Sequence, residues 1–189
     1  QPAETRRLVI DIGGRSTELI LGHGQTPRLA ESFQVGSVSL SERFFPDGRC
    51  TELAFRQAQT AAGAEFEEAV QAFSHERWTD ALGSSGTASA VSQLLAANGR
   101  SDGDITPDGL RWCIRQCVAA GSVQALALEG LRDERRAVLP GGLAILAALF
   151  AEFGIAELRP TRAALRQGVV FDLAERIRAE REHNSQGWR

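Results

Sequence analysis

The stretch LVIDIGGRSTELIL, residues 8–21, sets two acids, two glycines, an arginine and two hydroxyls between apolar runs. Gly13 and Gly14 carry no Cβ, so a ligand can come close to the main chain there. Successive N–H groups in such a turn form a concavity that suits an anion. The hydroxyls of Ser16 and Thr17 add donors, and Arg15 adds a planar fork matched to phosphate oxygens. Asp11 and Glu18 flank the turn. Two carboxylates beside a phosphate cradle would repel the substrate unless a hard cation such as Mg²⁺ lies between them. The plainer alternative is a glycine-rich hairpin with Asp11 capping its turn, because short glycine motifs recur by chance.

A second constellation is Gly83-Ser84-Ser85-Gly86-Thr87, which follows a short strand pattern at residues 78–82 and opens a helix through Val91, Leu94 and Leu95. Strand, small-residue turn and helix amino terminus aim free N–H groups and the helix dipole at an anion. Alone, the same pattern describes an ordinary strand–helix connection. Paired with the first loop, it supplies the second wall of a cleft.

The elements that must hold these loops follow from periodicity and turn chemistry. The opening hairpin leads into a third strand with Leu29, Phe33 and Val35 on one face, ended by Gly36. Ser37 is expected to cap a short helix carrying Leu40 and Phe44, closed by Pro46-Asp47-Gly48. Thr51 opens a long helix with Phe55, Ala58, Ala62, Phe66, Ala69, Val70 and Phe73 as its stripe. Thr106-Pro107 starts another through Leu110, Ile114, Cys117 and Val118, and Ser122 is expected to cap a short one through Val123, Leu126 and Ala127. The cluster Arg132, Asp133, Glu134, Arg135, Arg136 reads as a solvated helix surface, or as arginines reaching a long polyanion. Pro140-Gly141-Gly142 introduces an apolar helix at residues 143–153, stopped by Gly154. A last strand at residues 155–159 and a closing helix with Leu165, Val169, Leu173 and Ile177 complete the chain, with a frayed tail at residues 182–189.

Composition narrows the function. With 189 residues, 43% hydrophobic and 24% charged, the chain has the make-up of an ordinary globular protein with enough length for a substantial core. The net charge of -3 gives no global basic field for nucleic acid or an anionic membrane, so anion binding has to be local. All 21 basic residues are arginine. The absence of lysine excludes a P-loop, whose lysine reaches the phosphates. Cys50, Cys113 and Cys117 are odd in number and lack a CxxC pair, which argues against a disulfide framework. Cys113 and Cys117 could share a metal on one helix face, but no histidine lies near them, and buried thiols in a reducing cytoplasm are the simpler reading. No signal peptide is visible, and the longest apolar run, residues 143–150, is far below the roughly 18 residues of a membrane span. A cytoplasmic setting follows, with peripheral membrane association left open. Lacking methionine and opening QPAETRR, the chain reads as a piece of a longer protein.

The element order is that of a ribonuclease-H-like half-domain: α/β, a mixed five-stranded sheet with an antiparallel opening hairpin and helices on both faces. The segments DIGGRSTEL, GSSGTASAV, LPGGLAIL and ALRQGVVFD, in that order, resemble the exopolyphosphatase and guanosine pentaphosphate phosphatase family of the actin, hexokinase and chaperone-ATPase superfamily. The resemblance implies a two-lobed hydrolase that releases terminal orthophosphate from a phosphate chain with Mg²⁺. Residues 1–181 would be its second lobe, with the first lobe absent. By similarity Asp11 holds the metal; Gly13, Gly14, Ser16 and Thr17 cradle a phosphate; Glu18 orients metal or water; and Gly83, Ser85, Gly86 and Thr87 meet the substrate from the other side. The family usually has a small residue where Arg15 stands, so its guanidinium either adds a phosphate contact or crowds the loop. Its general-base glutamate lies in the first lobe. Partners implied are inorganic polyphosphate or guanosine pentaphosphate, the missing lobe and a second copy through the exposed hinge surface. The alternatives are a sugar-kinase or ATPase lobe that uses Pro140-Gly141-Gly142 as a nucleotide-base loop, and a non-catalytic module sensing polyphosphate or guanosine alarmones.

Overall fold

Alternation along the first strands sorts their side chains between the main core and the opposite face of the sheet. A computed structural model describes residues 6–23 and 26–161. In β1 (Arg6–Ile12) and β2 (Thr17–His23), the side chains of Leu8, Ile10, Ile12 and Leu19 are buried in the main core. Val9 and Ile20, one residue out of phase, form a small separate cluster with Ala30 and Leu82. β1 and β2 are antiparallel, and β3 (Thr26–Phe33) continues the meander with a register shift at Leu21/Gly22. β4 (Asp80–Gly83) runs parallel to β1, and β5 (Arg159–Pro160) parallel to β4. The order β3-β2-β1-β4-β5 is the mixed five-stranded sheet expected.

The helices are α1 (Ser37–Phe44), α2 (Glu52–Phe66), α3 (Gly86–Ala97), α4 (Pro107–Ala120), α5 (Asp133–Arg136) and α6 (Leu139–Phe153). Nearly every α6 side chain is buried, and α1, α2 and α4 pack around it. That is the cover an apolar helix requires. Thr51 and Thr106 cap α2 and α4, each accepting at 3.1 Å from the amide three residues on, with Pro107 in the first turn of α4. Gly154 stops α6 with φ 65°.

Five expectations change. Gly36, not Ser37, is the cap of α1, and the Ser39 hydroxyl bonds back to it, while Ser37 already lies in the helix. α2 ends at Phe66 and continues as the short 3₁₀ turn Glu67–Ala69, so Val70 and Phe73 lie past the helix, although Phe73 still meets Phe153 edge-on. Ser122 closes a turn on the Ala125 amide (3.2 Å), but no helix follows. The last strand is shorter than residues 155–159, and Leu158 bridges Ile105 just before it. Finally, Pro140, Gly141 and Gly142 belong to the first turn of α6: the Gly141 amide donates to Ser41 Oγ (3.0 Å), and Gly142 lies against Thr87. Buried between helices, they form no exposed nucleotide-base loop. The closing helix, the ALRQGVVFD segment beyond Thr161 and the tail lie outside the described residues.

Candidate anion and cation site

The β1–β2 turn is aimed by α1. The Gly13 carbonyl accepts from the Ser37 amide (2.9 Å) and hydroxyl (3.2 Å), and the Gly14 carbonyl from the amides of Val38 (2.9 Å) and Ser39 (3.1 Å). A trans peptide places its C=O and the following N–H on opposite sides. With both carbonyls directed at the amino end of α1, the amides of Gly14 and Arg15 point away from it. Neither donates a hydrogen bond among the described residues. The Gly13 amide is different, closing the turn on the Ser16 carbonyl at 2.8 Å. Two adjacent outward amides make an anion-binding concavity. Gly36 permits this docking, because a Cβ there would overlap the Gly14 carbonyl group and the Arg15 nitrogen.

Asp11 and Glu18 are register partners on the sheet face opposite the main core, and both are half-buried. Ser16 Oγ and Ser32 Oγ donate to Glu18 Oε1 at 2.7 and 3.0 Å, and Ser84 Oγ donates to Asp11 Oδ2 at 3.0 Å. The other oxygen of each acid accepts nothing among the described residues. An ionised carboxylate only accepts, so each serine has committed its single proton to an acid. The donor set is hard: two carboxylates with hydroxyls behind them suit Mg²⁺, which fills its shell with water and phosphate oxygens. No group of three or more histidine, cysteine, aspartate or glutamate side chains around a metal position exists among the described residues.

The other expected residues fall into two groups. Thr17 is fully buried, and its hydroxyl donates to the Val35 carbonyl at 2.6 Å. Arg15 is exposed and pairs with Glu42 of α1 at 3.3 Å. At that exposure the pair contributes little and is easily exchanged for another anion. In the second loop Ser85 caps α3 by accepting from the Ala88 amide (3.1 Å), Thr87 donates to the Ile12 carbonyl (3.3 Å), and Gly83 lies close against Ala88. These three tie the loop to β1 and α3. Gly86 lies under Arg135, whose guanidinium comes within 2.5–3.0 Å of where a Cβ would sit. Arg135, Arg132, Ser84, Ser85, Gly86 and Ser89 line a cavity of about 390 Å³ at the amino end of α3.

Sequence reasoning passed over Ser32, Ser84 and Arg135 as site residues. Ser32 is the register partner of Glu18, so reading the pairing of β2 with β3 would have found it. Arg135 gave no local signal, since its position over Gly86 comes from the packing of distant segments. Arg132, Asp133 and Glu134 of its cluster are exposed, as a solvated surface requires, while Arg135 itself lies against the second loop.

The sequence profile of the Ppx/GppA phosphatase family matches residues 1–177. A Haemophilus influenzae protein with the provisional name exopolyphosphatase is 40% identical over 173 residues, covering 92% of this chain and 54% of that protein. The guanosine-5'-triphosphate,3'-diphosphate pyrophosphatase of Aeromonas hydrophila is 39% identical over 170 residues, covering 90% of this chain and 34% of its own length. The chain thus spans about half, or a third, of these relatives. Among solved structures, the Aquifex aeolicus PPX-GPPA enzyme superposes with a TM-score of 0.72 at 21% identity, over 88% of this chain and 56% of that one. An exopolyphosphatase from Cytophaga hutchinsonii gives 0.73 at 19%, over 91% and 58%. At such identities the superpositions speak to the actin-like fold.

Proposed function

The chain belongs to the Ppx/GppA phosphatase family, and on that premise we propose that it forms the second lobe of a two-lobed phosphoric-anhydride hydrolase. Its cleft would receive the terminal phosphate of inorganic polyphosphate or guanosine pentaphosphate, the two substrate types to which the relatives' names point. Both present the same terminal anhydride. The observation that supports this reading is that one strand-turn-strand carries both the unbonded amides of Gly14 and Arg15 and the serine-held register pair Asp11 and Glu18.

In this reading the Gly14 and Arg15 amides take phosphoryl oxygens, and Asp11 and Glu18 hold Mg²⁺. Bound there, the cation neutralises charge on the phosphoryl oxygens. The chain's own part is positioning and electrostatics, which dominate phosphoryl transfer. Arg135 and Arg132, beside the amino end of α3, hold the rest of the polyanion. Ser16 acts through Glu18 rather than on phosphate, and Thr17, Ser85 and Thr87 brace the two loops. The resemblance puts the general base in the other lobe, so this lobe binds without appreciable turnover.

Calorimetry with tripolyphosphate, with and without Mg²⁺, tests the reading. Binding should depend on Mg²⁺ and weaken at least about tenfold in Asp11→Asn, the size of one lost charge-assisted contact. Binding indifferent to both Mg²⁺ and Asp11 would overturn it. Robust Mg²⁺-dependent phosphate release by this chain alone would overturn the placement of the base.

A further inference from the structure

Four side chains form a row across one face of the sheet. Ser32 on β3 is paired in register with Glu18 on β2, Glu18 with Asp11 on β1, and Ser84 continues β4 directly beyond the Ile10–Gly83 pair. The Ser84 amide extends that ladder by donating to the Ile10 carbonyl at 2.9 Å. The order in space is therefore Ser–Glu–Asp–Ser, with two like charges on neighbouring strands in the middle. Directly opposed like charges are destabilising by themselves. Each acid is gripped from its outer side, Glu18 Oε1 by Ser32 with Ser16, and Asp11 Oδ2 by Ser84. Asp11 Oδ1 and Glu18 Oε2 are left over.

We infer that Ser32 and Ser84 are positioning residues that turn one oxygen of each acid toward a shared divalent cation. The inference rests on the cation site proposed above and adds its supporting shell. Each hydroxyl fixes a carboxylate rotamer before the cation arrives, so that the ion meets two oxygens already oriented. Hydrogen-bond partners of metal ligands typically affect metal affinity 10–100-fold, and that range is expected here. A row that merely stabilises the sheet would change the melting temperature without changing cation affinity.

Binding of Mn²⁺ to the full chain, followed by the loss of the free-ion electron paramagnetic resonance signal, separates the cases. Wild type should bind, and Asp11→Asn should bind weakly or not at all. Ser32→Ala and Ser84→Ala should each weaken Mn²⁺ about 10–100-fold, while Ser32→Thr and Ser84→Thr, which keep the hydroxyl, should recover most of that loss. Folding of each variant is checked by its melting temperature without metal, and the threonine variants keep the test open if an alanine variant does not fold. Wild-type affinity in both folded alanine variants, or threonine variants as weak as alanine, would overturn the positioning role while leaving the cation site intact. No Mn²⁺ binding by wild type, or binding that survives Asp11→Asn, would remove the site itself and this inference with it.

Discussion

Gly36→Ala is the sharpest test of how the first loop is aimed. Gly36 sits at φ -137° and ψ 166°, extended backbone open to any residue, so the substitution adds no dihedral strain. What it adds is a methyl group where the Gly14 carbonyl and the Arg15 nitrogen already are. Backbone cannot swing aside as a long side chain can, so the loop must lift from α1. Lifting breaks the bonds from the Ser37, Val38 and Ser39 amides to Gly13 and Gly14. At about 1 kcal/mol each the cost is about 3 kcal/mol, and at this chain length about 2–4 °C per kcal/mol predicts a melting drop of about 6–12 °C. Freed peptides also lose their orientation, so tripolyphosphate affinity should fall at least about tenfold. Alanine is a poorer helix cap than glycine, and Gly36→Ser controls for that, because serine caps well but carries the same Cβ. Differential scanning calorimetry and tripolyphosphate titration read both effects. If Gly36→Ser matches wild type in melting temperature and affinity, the docking of carbonyls onto α1 does not aim the amides, and the argument fails.

Three further outcomes are expected. Thr17→Val removes a fully buried hydroxyl and leaves the Val35 carbonyl short of its donor, costing about 1–3 kcal/mol in urea denaturation while tripolyphosphate affinity stays within about twofold; a tenfold loss of affinity would return Thr17 to the phosphate ligands. Arg135→Gln should weaken tripolyphosphate several-fold at low salt with little change in melting, and the difference should vanish near 1 M salt, where the Debye length is about 3 Å; an effect that survives high salt would show that Arg135 acts by packing. Burial pushes the Cys113 thiol up to about 12 and is the leading cause, so the folded chain keeps a proton that the unfolded chain releases above about 8.5. Stability present below that pH should therefore decline as pH rises from about 9 to 12, and Cys113→Ala should flatten the decline in urea midpoints; an unchanged slope would count against it.

How much of this was legible follows from the range of each interaction. The hairpin, the caps at Thr51 and Thr106, the stop at Gly154 and the almost wholly buried α6 rest on contacts within a few residues, or on a periodicity printed along the chain, and the sequence showed them. Asp11, Gly14 and Glu18 were readable as a candidate site for the same reason, since strand, turn and strand fix their proximity. Ser122 misled because a capping hydroxyl begins a turn whether or not a helix has apolar residues to bury afterwards. Pro140-Gly141-Gly142 looked like a loop because glycine is read as a breaker. Here it is the residue that lets α6 approach Ser41 and Thr87 closely.

Residue type alone announced a candidate anion site with acids beside it, and that much the chain carries in its order. Which of these groups are left available for an anion depends on partners far along the chain. α1 absorbs two carbonyls and so turns the Gly14 and Arg15 amides outward; Val35 takes the Thr17 hydroxyl inward; Ser32 and Ser84 reach the acids from flanking strands; and Arg135 arrives over Gly86. A hydroxyl or an amide has one proton to give, and sequence shows that it exists but not where it goes.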